Sequence, residues 1–328
     1  MSGEPTPRVR FRPVSLDALN FLLADVRGAL GPYLNVFLVT QQGWSQSSVG
    51  VVTAVSGLVG LAAQTPAGAA IDATPAKRGA LVMALAVLAC GAVVIFAAPS
   101  FWPVLAANTL TAIVGAVFGP AVAALTLGLF MRDQLAGRMG RNVACDHGGN
   151  VVIALVAAAI GSVFGQRAVF LLVPVFAMLA IFAVLSIPSA AIDHRRARGA
   201  EPSGAAQEGA GWRTILESRP LAVYAACTML FHFANAPLLP LVGQKLAFAN
   251  KEFATAMMSC CIIAARLVML PIALFAGRKA DRWGRKPILL IGFGILQCVH
   301  SCTPCQTTTD GEAQSNFSMA SGPGSLAS

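Results

Sequence analysis

Five polar side chains stand inside long apolar runs of this sequence: Asp25 and Arg27, His232 and Asn235, and Arg266. An ionisable group at bilayer depth costs about 3 kcal/mol even on lenient scales, so each of them marks a partner, a solute or a proton. For Asp25 and Arg27 two readings stand side by side: ion pairing to neighbouring helices, or a functional contact. His232 and Asn235 lie three residues apart on one helix face, beside Pro237 and Pro240. A neutral histidine bonded to a neighbouring helix fits that pattern. So does a protonatable residue in a cavity, because histidine titrates near physiological pH. Arg266 has no acidic residue in its own run or the one before it, and Asp25 is the partner nearest in kind. Asp146 and His147 open another apolar run, where an exposed helix cap is expected.

Membrane helices are what must position these groups. The 328 residues are 56% hydrophobic and 11% charged, with a mean hydropathy of +0.70. Soluble domains carry about 25% charged residues to wet their surface. Here the charges gather between apolar runs close to the roughly 20 residues needed to cross a 30 Å hydrocarbon core. About eight spans are expected, at 15–40, 49–71, 79–98, 102–130, 144–166, 168–191, 219–243 and 254–276, and PILLIGFGIL from Pro287 starts a stub of a ninth. Arg8, Arg10 and Arg12 resemble the front of a signal peptide. Asp17, Asp25 and Arg27 in the following segment, with no small-residue cleavage site, make it a retained span.

At about 100° per residue, Asp17, Asn20, Asp25 and Arg27 share one broad half of the first span. The other half is free to face lipid. Asp25 and Arg27 fall at opposite edges of the polar half, Asp17 and Asn20 near the cytoplasmic boundary, and GALGP (Gly28 to Pro32) can break the helix just there.

The basic residues alternate by side. With the N-terminus placed in the cytoplasm, 18 lysines and arginines fall on that side, and Arg167, Lys245 and Lys251 make 3 on the other. The positive-inside rule therefore sets the expected orientation. The same clustering accounts for the net charge of +9 without a nucleic-acid partner. Cys90, Cys145, Cys227, Cys260 and Cys261 lie in or beside apolar runs, where cysteine is an ordinary small hydrophobe. No catalytic nucleophile motif, phosphate loop or metal-ligand spacing occurs in the spans, so no enzyme, cofactor or metal site is expected. From Asp193 to about Glu217 the chain is polar and reads as a cytoplasmic linker. The expected organisation is a six-helix half over 1–192, a linker over 193–218, a partial second half over 219–296 and a disordered tail over 297–328.

The segment after span eight, GRKADRWGRKP, joins two antiparallel helices with glycines for close approach and a carboxylate able to latch onto arginine or a helix N-terminus. It resembles the cytoplasmic loop signature G-x-x-x-D-R-x-G-R-K of major facilitator superfamily transporters, matched at Gly277, Asp281, Arg282, Gly284, Arg285 and Lys286. The equivalent place in the first half holds a partial echo, GAAIDATPAKR. Gly68 and Asp72 keep the separation of Gly277 and Asp281, and Lys77 matches Lys286, while Ala73, Pro75 and Ala76 depart from the pattern. The resemblance covers Leu16 to Leu296. It implies an all-α integral membrane bundle of the bacterial type, made of parallel six-helix halves with the second incomplete here. In that fold the first helix of each three-helix repeat lines the central cavity, which would bring Asp25 and Arg27 to the substrate or proton. It also implies secondary transport of a small solute or drug across the inner (plasma) membrane, with lipid, substrate and a proton as partners. The fourth span lacks the arginine of many proton-coupled members. Its Gly115-x-x-x-Gly119-Pro120 reads as close helix packing.

After Leu296 the character changes. Cys298, His300, Cys302 and Cys305 are too tightly packed for the two-arm spacing of a zinc site. A one-base shift of reading frame from Leu296 permits an apolar, small-residue stretch instead: Met319 before Ala320 must then give glycine, and Cys302 before Thr303 gives tyrosine or histidine. The sequence-based expectation is a frameshift that replaced the last helices, leaving a chain that does not transport as written; the rival reading is a non-transporting membrane module or remnant, and an integral membrane enzyme is a distant third. The DNA across codon 296 decides it.

Overall fold

The computed structural model describes residues 13–24, 31–193, 195–198, 218–235, 253–283, 287 and 290–291. Every regular element among them is helical: α1 (Pro13–Leu23), α2 (Gly31–Thr40), α3 (Gln46–Ala73), α4 (Lys77–Ala97), α5 (Phe101–Leu129), α6 (Leu135–Phe164), α7 (Leu172–Leu185), α8 (Arg219–Asn235) and α9 (Ala254–Trp283), with short 3-10 turns between some of them. Six helical stretches are long and apolar enough to cross a membrane; Pro13–Leu23 and Arg219–Phe231 are shorter apolar helices. That bears out the helical membrane class. The expected eight spans become six full-length and two shorter ones among the described residues.

In the expected first span two helices are described, α1 to Leu23 and α2 from Gly31, and residues 25–30, where GALGP begins, lie outside the described residues. The fifth begins at Leu135, nine residues before the expected start. Gly137, Arg138, Gly140, Arg141 and Asn142 read as loop on composition alone, yet tertiary pairing satisfies the charges and the helix continues. Asp146 and His147 are consequently half-buried in the body of α6, so an exposed cap is not their role. At the other end of the chain α9 runs on to Trp283, which makes Gly277 to Trp283 a helical continuation where a loop was expected.

Two compact units divide at residue 278, Met1–Arg278 and Lys279–Ser328. In the second, Lys279 Nζ lies 5.9 Å from the centre of the Trp283 ring at the end of α9.

Within the first unit the larger core layer joins α1, α4, α5, α6 and α7 through residues such as Leu16, Leu85, Phe118, Ile153 and Val173. A smaller one at the other end gathers Phe37, Val52, Val104 and Phe170, with Phe37 and Phe170 edge to face at 5.3 Å. Burying small alanines and glycines brings helices close enough for dispersion to hold them, which is how helices associate where lipid removes the hydrophobic drive. The Gly115–Gly119 pattern does not act this way at Gly119: a Cβ there would meet nothing within 4 Å.

The expected linker starts inside the packed fold. Ile192 and Ala197 are buried, and Asp193 N–H donates to Gly128 C=O at 3.1 Å. A Cβ on Gly128 would come within 3.0 Å of Ile192 Cγ2, so glycine is what lets this turn lie on α5. Burial pushes the Asp193 carboxyl up. The backbone and side-chain bonds from Arg196 and the backbone N–H of Arg195 outweigh that and hold it below the ordinary carboxylate value. Residues 194 and 199–217, and the tail 297–328, lie outside the described residues.

Candidate functional site

Asp17 of α1 is the hub of a polar cluster at one end of the bundle. Arg138 Nη2 donates to its Oδ1 at 2.6 Å, and Arg141 forks onto the same carboxylate, with Nη2 2.7 Å from Oδ2 and Nε 3.1 Å from each oxygen. Residues 138 and 141 are three apart on α6, so both guanidiniums leave one face of that helix. The Arg138 side chain is 5% exposed and that of Asp17 14% exposed, so this pair sits out of water. Arg138 Nε donates to Asn142 Oδ1 at 2.9 Å, and Asn142 Nδ2 donates to Thr126 Oγ1 at 2.9 Å, which carries the network onto α5. The Arg138 guanidinium also stands 5.0 Å from the centre of the Phe130 ring. Each added contact offsets desolvation that would otherwise make a buried ion pair unfavourable. Sequence reasoning placed Asp17 near the boundary and missed this pairing. The available signal was an acid in an apolar run facing two arginines spaced i, i+3 before another run.

The first-half echo of the loop signature is a pair of helix caps. Gly68 and Asp72 fall in the last turns of α3, with Asp72 exposed; Gly277 and Asp281 fall in the same place on α9. Lys77, buried at the start of α4, donates from Nζ to the carbonyls of Ile71 at 2.7 Å and Thr74 at 3.3 Å, closing the C-terminal end of α3. Arg78 reaches the carbonyl of Leu185, the last residue of α7, at 2.9 Å. Cations at helix C-termini satisfy orphan carbonyls and complement the negative end of the macrodipole. One dipeptide thus ties α4 to α3 and α7. The side chains of Gly277, Asp281 and Arg282, and all of Gly284, Arg285 and Lys286, lie outside the described residues.

Deeper in the bundle, Arg266 of α9 brings Nη1 to 3.4 Å from Nδ1 of His147 on α6. The guanidinium can only donate, so this contact needs an unprotonated Nδ1. The arginine that sequence alone matched with Asp25 therefore has a histidine beside it. Asp25 and Arg27 lie outside the described residues. His232 and Asn235 fall in the last turn of α8, with side chains outside the described residues. No group of three His, Cys, Asp or Glu side chains able to hold a metal occurs among the described residues.

Long apolar helices locked by buried polar caps and intramembrane cations define a multi-pass membrane protein. The family model of the Major Facilitator Superfamily matches residues 16–300. Two curated relatives, both carrying the name uncharacterized MFS-type transporter, come from Mycobacterium tuberculosis, strain CDC 1551 / Oshkosh and strain H37Rv. Each is 45% identical over 287 residues, spanning 86% of this chain and 68% of the relative. The chain belongs to the major facilitator superfamily. It is a membrane-embedded transporter-family protein, and the family places it outside the enzymes.

Proposed function

We propose that this protein, in the reading frame restored after codon 296, is a secondary active transporter that moves a small solute, drug-like compounds included, across the bacterial inner membrane with a proton as coupling ion. The contact of Arg266 with His147 supports this reading most directly. It sets a fixed cation against a titratable imidazole between α6 and α9, inside the membrane-length stretches, where polar groups are retained at a cost. Asp25, Arg27, His232 and Asn235 are the further candidates for the cavity. Asp281 and its signature neighbours would organise the end of α9 through charge-assisted hydrogen bonds.

The test verifies the reading frame after codon 296, reconstitutes the protein in liposomes and follows a panel of labelled sugars, amino acids and organic cations under an imposed pH gradient. Accumulation above empty liposomes is expected for at least one solute class. Asp281→Ala should abolish most of it while leaving expression and membrane insertion intact. Gradient-driven movement of none of them would count against the proposal, and full transport by the variant would show that the signature aspartate is dispensable.

Orientation follows from the 18-to-3 distribution of basic residues, which supports a cytoplasmic N-terminus and linker. In a cysteine-free background, Ser2→Cys and Ser203→Cys should resist an impermeant thiol reagent in intact cells and react after permeabilisation. Labelling of both from outside would reverse the topology.

A further inference from the structure

Helices α6 and α9 run antiparallel along one another. Thr255 lies against Gly161, Arg266 against His147 and Leu270 against Gly148, so successive turns of one meet successive turns of the other. At the end of this seam the packing opens into a cavity of about 470 Å³, whose lining includes Gly137, Gly140, Arg141, Ala144, Leu274 and Arg278. Glycine and alanine supply at most a methyl group to fill the gap. What lines it from either side is a guanidinium.

The charges there do not balance. Asp17 is shared by Arg138 and Arg141, so one positive charge of that cluster is left over. Asp17 engages Nε and Nη2 of Arg141, while Nη1 makes no hydrogen bond among the described residues. Arg278 adds a second positive charge and has no hydrogen bond or ion pair among the described residues. Two like charges across one opening favour an anion between them, and a guanidinium edge suits a phosphate oxygen.

We propose that this cavity binds the phosphodiester headgroup of an anionic phospholipid. Its depth selects lipid over a soluble anion. The apolar stretch of α9 ends at Phe275, and Arg278 follows three residues later, about 4.5 Å farther along the axis, where headgroups begin. Leu274 is in the wall, and exposed Met139 and Val143 on α6 and Ile272 and Phe275 on α9 stand at the same level, offering acyl chains an apolar surface. Basic pockets between membrane helices at this depth are suited to acidic headgroups. A bound phosphodiester would convert the repulsion of Arg141 and Arg278 into a bridge between α6 and α9. This inference goes beyond transport and depends only on the membrane placement.

The purified full chain in mild detergent would be titrated with phosphatidylglycerol, phosphatidylcholine and inorganic phosphate, reading bound lipid by native mass spectrometry and stability by thermal melting. Phosphatidylglycerol alone should bind and raise the melting temperature. Arg278→Gln should weaken it about fivefold, the worth of one basic residue facing an acidic headgroup. Arg278→Lys should retain most of the binding, and Arg195→Gln, on an exposed turn, should change nothing. Ala144→Trp, which fills the cavity without altering charge, should block binding while the protein stays folded. Equal binding by wild type and Arg278→Gln, equal response to phosphatidylcholine, or saturation by inorganic phosphate would each overturn the assignment. Because no transport is measured, a failure here leaves the transport reading where it stands, and the reverse holds too.

Discussion

Asp17→Ala is expected to destabilise the protein by roughly 3–5 kcal/mol, the cost of leaving a buried guanidinium without its counter-charge. Arg141, whose side chain is 60% exposed, can turn to water when the carboxylate is gone. Arg138 cannot: its side chain is 5% exposed, and Asn142 and the Phe130 ring supply no negative charge. The variant should melt at a clearly lower temperature in detergent and expose α1 to protease. Arg141→Gln should lose far less, since exposed ion pairs contribute about 0–1 kcal/mol. The double variant Asp17→Leu/Arg138→Met should recover much of the loss, because a buried pair replaced by apolar groups of similar size is often neutral. An Asp17→Ala protein as stable as wild type would mean that the α1–α6 contact does not depend on this pair.

Gly149→Ala is the second large effect. A Cβ at position 149 would overlap the carbonyl oxygen of Phe21 and come within 2.7 Å of Ala24 Cβ. The first obstacle is backbone and cannot rotate aside, so α1 must shift away from α6. Overpacking costs about 1–3 kcal/mol where side chains can adjust, and here the expected loss is at or above the top of that range. Gly119→Ala is the matched control, for a Cβ there meets nothing within 4 Å. It should be neutral or gain up to about 1 kcal/mol from helix propensity. Thermal melting of the two variants side by side gives the comparison. Equal melting temperatures would show that α1 and α6 are not in contact at Gly149.

Both effects lie where one helix meets another far away in sequence, and that is where reading the chain by itself stops. Hydropathy determined the helical membrane class, because a bilayer core accepts only long apolar segments with internally satisfied backbone. The family resemblance was likewise legible, since local chemistry carries it. The start of α6 was not. Gly137 and Gly140 weaken helix propensity, and the charges of Arg138 and Arg141 look like loop until Asp17, about 120 residues earlier, neutralises them. Lys77 counted as a basic residue marking a side of the membrane; only the fold makes it the cap of α3. Arg266 announced that it needed company. That the company is His147, on α6, was decided by the register of α6 against α9. Hydrophobic length is a one-dimensional property and survives in the sequence, whereas which polar group faces which depends on the rotation and register of two packed helices, set by the packing of the helices as a whole.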